Sequence, residues 1–275
     1  MPDATSLPPA DREVARVGGV FYGDTGGTGD GSGMPVVLLH GFLFDQSMWR
    51  AQVAALSARG HRVITVDLPG FGASAVPEEP ATMSTYSTAV AAIIDQLALP
   101  PVALVGYSMG GQVTLDTYAA RPDLVARVVL VDTVAHTDLP EVAQGRRDLA
   151  ARLEREGVRQ YAEEFLPQLL RLDGASAATV SHARTMMQAA NPVGAARALR
   201  ARADRPDYGP VLDACPFPVL IVVGEHDHFD QGRFGAGMAE RAPYGTLEVV
   251  AGVGHTPPLE APDVFTGLLA RFLGN

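Results

Sequence analysis

Short apolar runs punctuate the chain at 35–40, 62–67, 102–107, 126–132, 217–224 and 246–250. Runs of this length bounded by turn residues read as buried strands. Between them, stretches at 47–59, 85–97, 109–120, 232–241 and 262–273 carry apolar residues at helical spacing. Strands that alternate with amphipathic helices imply a parallel sheet covered on both faces. Ahead of this rhythm, 13–22 alternates like an edge hairpin, and the Gly-rich stretch 23–33 leads into the first buried run. That stretch precedes a strand instead of joining a strand to a helix, and it contains no lysine. It therefore reads as a hairpin loop and not as a phosphate cradle.

The rhythm stops between 134 and 213. No strand pattern occurs there, only Arg-, Ala- and Glu-rich helical segments at 146–156, 158–172 and 177–190, with breakers at Pro192 and Pro206. An insertion that enters and leaves between two parallel strands sits over their carboxyl ends or edge, where open α/β sheets bind ligands. The expected organisation is one α/β core, 1–133 and 214–275, carrying a helical cap, 134–213.

Composition narrows the function classes. At 275 residues with 47% hydrophobic content, the chain can fill the core of one large domain. A net charge of −10 without a clustered basic face disfavours a nucleic-acid partner. All 21 basic residues are arginine, which excludes lysine Schiff-base chemistry. Cys215 is the single cysteine, so an internal disulfide framework and a thiolate metal cluster are excluded, and it reads as a small buried hydrophobe. Residues 1–10 lack a basic and an apolar region, and no apolar stretch approaches a membrane span. A soluble cytoplasmic protein with no membrane contact, monomeric or a small homo-oligomer, is expected.

The candidate chemistry begins at Gly106-Tyr107-Ser108-Met109-Gly110, which fits G-x-S-x-G. It lies after an apolar strand and before a helix, the context in which that motif exposes a nucleophile. The sharp turn requires glycines where strand and helix approach closely, and Ser108 then stands at a helix N-terminus that favours developing negative charge. A serine hydroxyl needs a base, and the base needs an orienting carboxylate. His255 follows the strand at 246–250 on a loop at its carboxyl end, which suits the base. His40 precedes Gly41 in the first turn and reads as a buried structural imidazole. His226 and His228 flank Asp227, but alternate residues of an extended segment point opposite ways, so no metal is expected. Asp227, Asp132 and Asp67 each end a strand; Asp227 gives the chain order Ser, Asp, His, and Asp132 is its rival.

With these motifs the sequence resembles the α/β-hydrolase superfamily from about residue 34 to the C-terminus. His40-Gly41-Phe42 is similar to its H-G-x oxyanion loop, Asp67 to Ser74 to its D-x-x-G-x-G-x-S turn, and Gly254-His255 with Glu260 to its histidine loop. The resemblance implies a mostly parallel eight-stranded sheet with helices on both faces, and a helical cap inserted at 134–213. It also implies a Ser108, Asp227 and His255 triad and an oxyanion hole from the backbone N–H groups of Phe42 and Met109. Within the superfamily, Gly106 to Gly111 and Met48-Trp49 are most similar to small capped carboxylesterases, 3-oxoadipate enol-lactonases and cofactor-free haloperoxidases. The expected function is hydrolysis of a small-molecule ester or lactone with no cofactor, with Phe44, Tyr161, Phe165, Leu169 and Met186 as candidate substrate contacts. Two alternatives remain: hydrolysis of a carbon–carbon bond in a ring-cleavage diketone, and a non-catalytic ligand receptor on the same fold.

Overall fold

The computed structural model describes residues 13–27, 33–230 and 233–274. The N-terminal segment 1–12, residues 28–32 of the Gly-rich stretch and Gly232 at the start of the expected 232–241 helix lie outside the described residues. The strands are β1 (Glu13–Val17), β2 (Val20–Asp24), β3 (Val36–Leu39), β4 (Val63–Val66), β5 (Val102–Tyr107), β6 (Val125–Val131), β7 (Val219–Gly224) and β8 (Gly245–Val250). They form one eight-stranded sheet in the order β1-β2-β4-β3-β5-β6-β7-β8. β1 and β2 pair antiparallel, β2 runs antiparallel to β4, and every pairing from β4 to β8 is parallel. Strands β3, β4, β5 and β7 are buried at every position, as strands covered on both faces must be.

Three crossover helices, α1 (Arg50–Ser57), α2 (Met83–Gln96) and α3 (Met109–Ala120), join the central strands. The chain leaves β3 toward β4 on one side, then crosses to β5 on the other. The carboxyl ends of β3 and β5 are therefore neighbours at the point where the winding reverses, and Leu39 pairs with Gly106 there. The sheet order likewise sets the ends of β6, β7 and β8 side by side, with Gly224 opposite Val250.

Between β6 and β7 the chain forms α4 (Pro140–Glu156), α5 (Arg159–Leu169), α6 (Ala177–Ala189), α7 (Pro192–Ala203) and α8 (Gly209–Asp213), with no strand among the described residues. The sequence pattern misplaces two features here. α4 starts six residues before Arg146, at Pro140. α7 was not expected, because Pro192 reads as a breaker. Proline is instead favoured in the first helical turn, where its missing N–H would have no partner, and the Asn191 side chain caps the N–H groups of Val193 and Gly194. The core closes with α9 (Phe234–Arg241), α10 (Pro257–Glu260) and α11 (Pro262–Leu273). Among the described residues no helix is long and apolar enough to cross a membrane. Cys215 is free and buried.

Candidate active site

Ser108 occupies the turn between β5 and α3 with φ 50° and ψ −111°, a left-handed conformation rare for a residue with a side chain. Its neighbours hold it there. Its N–H donates to Val131 O at 2.8 Å, and its carbonyl accepts from Gly111 N at 3.0 Å and Thr133 Oγ1 at 2.6 Å. The turn also depends on two glycines. A Cβ on Gly106 would stand 2.2 Å from Gly110 O, and one on Gly110 would stand 2.3 Å from Leu39 O. Strain of this kind persists only where the surroundings over-determine it, and it projects the side chain out of the turn.

His255, on the loop after β8, reaches Ser108 Oγ through Nε2 at 3.2 Å. Its Nδ1 lies 2.8 Å from Asp227 Oδ1, and Asp227, on the loop after β7, is 28 residues earlier in the chain. Both are buried. Burial works to raise the Asp227 pKa, but the hydrogen bond from His255 and its charge outweigh this and hold the carboxyl below its ordinary value. Asp227 Oδ1 also accepts from Phe229 N at 2.9 Å. Glu260 fixes the histidine loop from the other side, with its carboxylate accepting from Thr256 N at 3.1 Å, Gly254 N at 3.3 Å and Arg171 N at 2.7 Å. Thr256 Oγ1 donates to Leu169 O at 2.9 Å, so the end of α5 is anchored to the same loop.

Asp132, at the end of β6 with φ 41°, stands close to this pair without contacting Ser108 in the manner of a base or His255 in the manner of its acid. Its Oδ1 accepts from Gly224 N at 2.9 Å. Its Oδ2 is buried with no donor to satisfy it. Burial, then the Asp227 charge, push its carboxyl well above the ordinary range. Two adjacent buried carboxyls cannot both ionise cheaply, and a proton on Asp132 gives its orphaned oxygen a partner in Asp227. One ligand-type atom each from Asp132, Asp227 and His255 lies within 4.8 Å of the others. The 2.8 Å contact from Asp227 to His255 is hydrogen-bond distance, so Asp227 is the carboxylate of the trio that holds the imidazole.

His40 is fully buried; Nδ1–H donates to Gly41 O at 2.8 Å and Nε2 accepts from Leu68 N at 2.9 Å. Burial lowers its pKa, so it holds two loops together as a neutral ring. Asp67 accepts from Gln46 N and Ala73 N, both close to 2.9 Å, and is likewise a loop brace. Met109 is the first residue of α3, where backbone N–H groups have no partner within the helix. Phe42 follows β3 beside it, because β3 and β5 are neighbours.

Ser108 and His255 open onto a cavity of about 640 Å³. The core contributes Phe42, Ser108, His255 and Phe229, while α5 contributes Tyr161, Phe165 and Leu169. Tyr161 stacks on Phe165 at 5.1 Å, and Phe165 meets Phe42 at 6.4 Å and Phe229 at 6.0 Å. Two candidate contacts do not line it. Phe44 is buried and stacks on Tyr107 at 5.9 Å, and Met186 is buried in the apolar core. Apolar type alone does not separate a core position from a cavity wall, which is why the sequence reading included both. That reading omitted Phe229, whose ring covers His255 at 4.7 Å and which stands two residues after Asp227. It also omitted Gln112, His136, Leu139 and Arg202 of the cavity wall.

Comparison with known proteins agrees with this architecture. A structure of a thermophilic esterase from Thermogutta terrifontis with malate bound superposes with a TM-score of 0.87 at 34% identity, covering 96% of this chain and 98% of that one. The enol-lactonase from Burkholderia xenovorans LB400 superposes with a TM-score of 0.85 at 27% identity over 96% of this chain and all of that one. A 2-hydroxy-6-oxononadienedioate/2-hydroxy-6-oxononatrienedioate hydrolase from a Pseudomonas species is 25% identical over 96% of this chain and 95% of its own length. A profile of the alpha/beta hydrolase family matches residues 36–268, from β3 through β8 and into α11, and the chain therefore belongs to the alpha/beta hydrolase family.

Proposed function

We propose that this hydrolase cleaves carboxylic ester or lactone bonds through a Ser108, His255 and Asp227 triad. The observation that carries the reading is the continuous chain of contacts from Asp227 through His255 to Ser108, 2.8 and 3.2 Å, ending on a cavity of about 640 Å³. Asp227 holds His255 in the tautomer with its proton on Nδ1, leaving Nε2 free to take the Ser108 proton as Oγ attacks the substrate carbonyl. The N–H groups of Met109 and Phe42 stabilise the oxyanion, and the helix dipole of α3 adds to them. His255 then protonates the leaving alcohol. Water, deprotonated by the same imidazole, releases the acid and restores Ser108. Esterase and enol-lactonase relatives support the bond type. The test is a panel of p-nitrophenyl esters from acetate to laurate, beside small lactones and one ring-cleavage diketone. Turnover of the diketone alone would shift the reading to carbon–carbon cleavage, and turnover of none would favour a receptor.

In this reading residues 134–213 form a cap whose α5 side chains shape the acyl pocket. Phe165→Ala and Tyr161→Ala are expected to move the preferred acyl length toward longer chains with little loss of melting temperature. Met186→Ala, by contrast, empties a core position and is expected to lower stability by about 2–5 kcal/mol without changing preference. The ester panel and thermal melts of the three variants check this. The opposite assignment, with preference moved by Met186 and stability by Phe165, would make α5 a packing element.

A further inference from the structure

The chain carries a net charge of −10, yet one wall of its cavity is basic. Arg146 and Arg202 line it, and Arg205 stands behind them. Arg146 and Arg205 share one counter-ion, Asp138, at 2.6 and 2.8 Å. Their two guanidiniums outweigh the burial of that carboxyl and hold its pKa at about 2. Arg205 spends its remaining donors on the carbonyls of Arg202 and His136. Arg202 is different. It is 9% exposed, and among the described residues it makes no ion pair. Among the described residues its guanidinium makes one hydrogen bond, from Nε to Gln112 Oε1 at 3.1 Å, and lies over the Phe42 ring at 5.8 Å.

A guanidinium has five N–H donors and stays protonated, so four donors of Arg202, on Nη1 and Nη2, are left without a protein partner. A buried cation in that state is costly, and burial together with the Arg146 and Arg205 charges works against it. With Nε held by Gln112 and one face of the plane on Phe42, the edge open to a ligand is the paired Nη fork. That fork matches a carboxylate bidentately. Asp132 does not supply the anion, since its carboxyl is engaged with Gly224 and Asp227.

The contacts of Arg202 also tie it to the neighbourhood of the nucleophile. Gln112 lies one turn of α3 after Ser108, and its N–H donates to Ser108 O at 3.4 Å. Phe42 is the residue whose N–H is assigned to the oxyanion. An anion on the fork therefore shares the cavity with Ser108, on the side of the elbow where Gln112 and Phe42 stand. Building on the ester or lactone hydrolase reading, we propose that Arg202 anchors a free carboxylate of the substrate, so that the enzyme prefers compact esters or lactones of dicarboxylic acids to neutral ones. Gln112 and Phe42 position the guanidinium.

Matched pairs test this: monoethyl against diethyl succinate, glutarate and adipate, followed by pH-stat. The wild-type enzyme is expected to favour at least one monoester by about ten- to a hundredfold in kcat/KM, the range of a charge-assisted contact. Arg202→Gln is expected to remove that preference mainly through KM, and Arg202→Lys to restore part of it. Calorimetric titration with glutarate and with glutaramide adds a readout independent of turnover. Wild-type enzyme should bind glutarate and not the diamide, and Arg202→Gln should lose the difference. A folded Arg202→Gln that keeps the preference would overturn the proposal, as would wild-type enzyme that favours every diester and binds glutarate no better than glutaramide. Should Arg202→Gln not fold, the wild-type titration and matched pairs decide alone. Binding of glutarate without hydrolysis of any ester would preserve the anion site and count instead against the ester reading.

Discussion

Replacing Ser108 with alanine is expected to lower kcat on any hydrolysed ester by at least about 10⁴, while circular dichroism and melting temperature stay close to wild type. The size follows from how the triad works: without a nucleophile the imidazole and the oxyanion donors have nothing to activate or stabilise. The residual rate is that of binding and the oxyanion hole alone. The fold should survive because the turn is held by backbone contacts, from Ser108 N to Val131 O and from Gly111 N to Ser108 O, that alanine retains. Alanine also leaves Gly106 and Gly110 free to approach their backbone neighbours. Near-normal turnover by a pure, folded Ser108→Ala protein would remove serine catalysis from the account.

The second large effect separates two buried acids. Asp227→Asn is expected to cost on the order of 10⁴ in kcat at neutral pH, about 5 kcal/mol of transition-state stabilisation, because the amide favours the wrong imidazole tautomer. Asp132→Asn should retain most of kcat. Its Oδ1 still accepts from Gly224 N, and an amide N–H can replace the proton that the carboxyl offers Asp227. The geometry motivates the ranking, since only Asp227 lies at hydrogen-bond distance from His255. Steady-state kinetics on both variants, with folding checked by circular dichroism, gives the answer. The reverse order would make Asp132 the orienting acid.

What the sequence made legible follows from how local each determinant is. β5, the elbow and α3 were read to the residue, because an apolar run, a Gly-x-Ser-x-Gly turn and a helix are each specified by neighbours in the chain. The sheet order brought His255 and Asp227 to the elbow as expected from strand ends alone. α7 was hidden by Pro192 and by a run of alanine and arginine with little apolar contrast. Arg202 lay in that run, indistinguishable by type from the solvated Arg200 beside it, which pairs with Glu154. Only tertiary packing separates them: one faces solvent and pairs with a carboxylate, while the other faces the cavity and makes no ion pair among the described residues. Phe44 and Met186 show the same limit for apolar residues, since burial against Tyr107 or in the core is set by distant parts of the chain. Phe229 was the avoidable omission, as its place two residues after Asp227 was visible in the sequence.

The central claim is that Ser108 is an activated nucleophile, and covalent labelling tests it most directly. A fluorophosphonate incubated with wild-type enzyme at neutral pH is expected to add one phosphonyl group per chain, found by mass spectrometry on the peptide containing Ser108. Hydrolysis should fall in proportion to labelling, and Ser108→Ala should take up none. Label on a different residue, or hydrolysis that persists in fully labelled protein, would contradict the account.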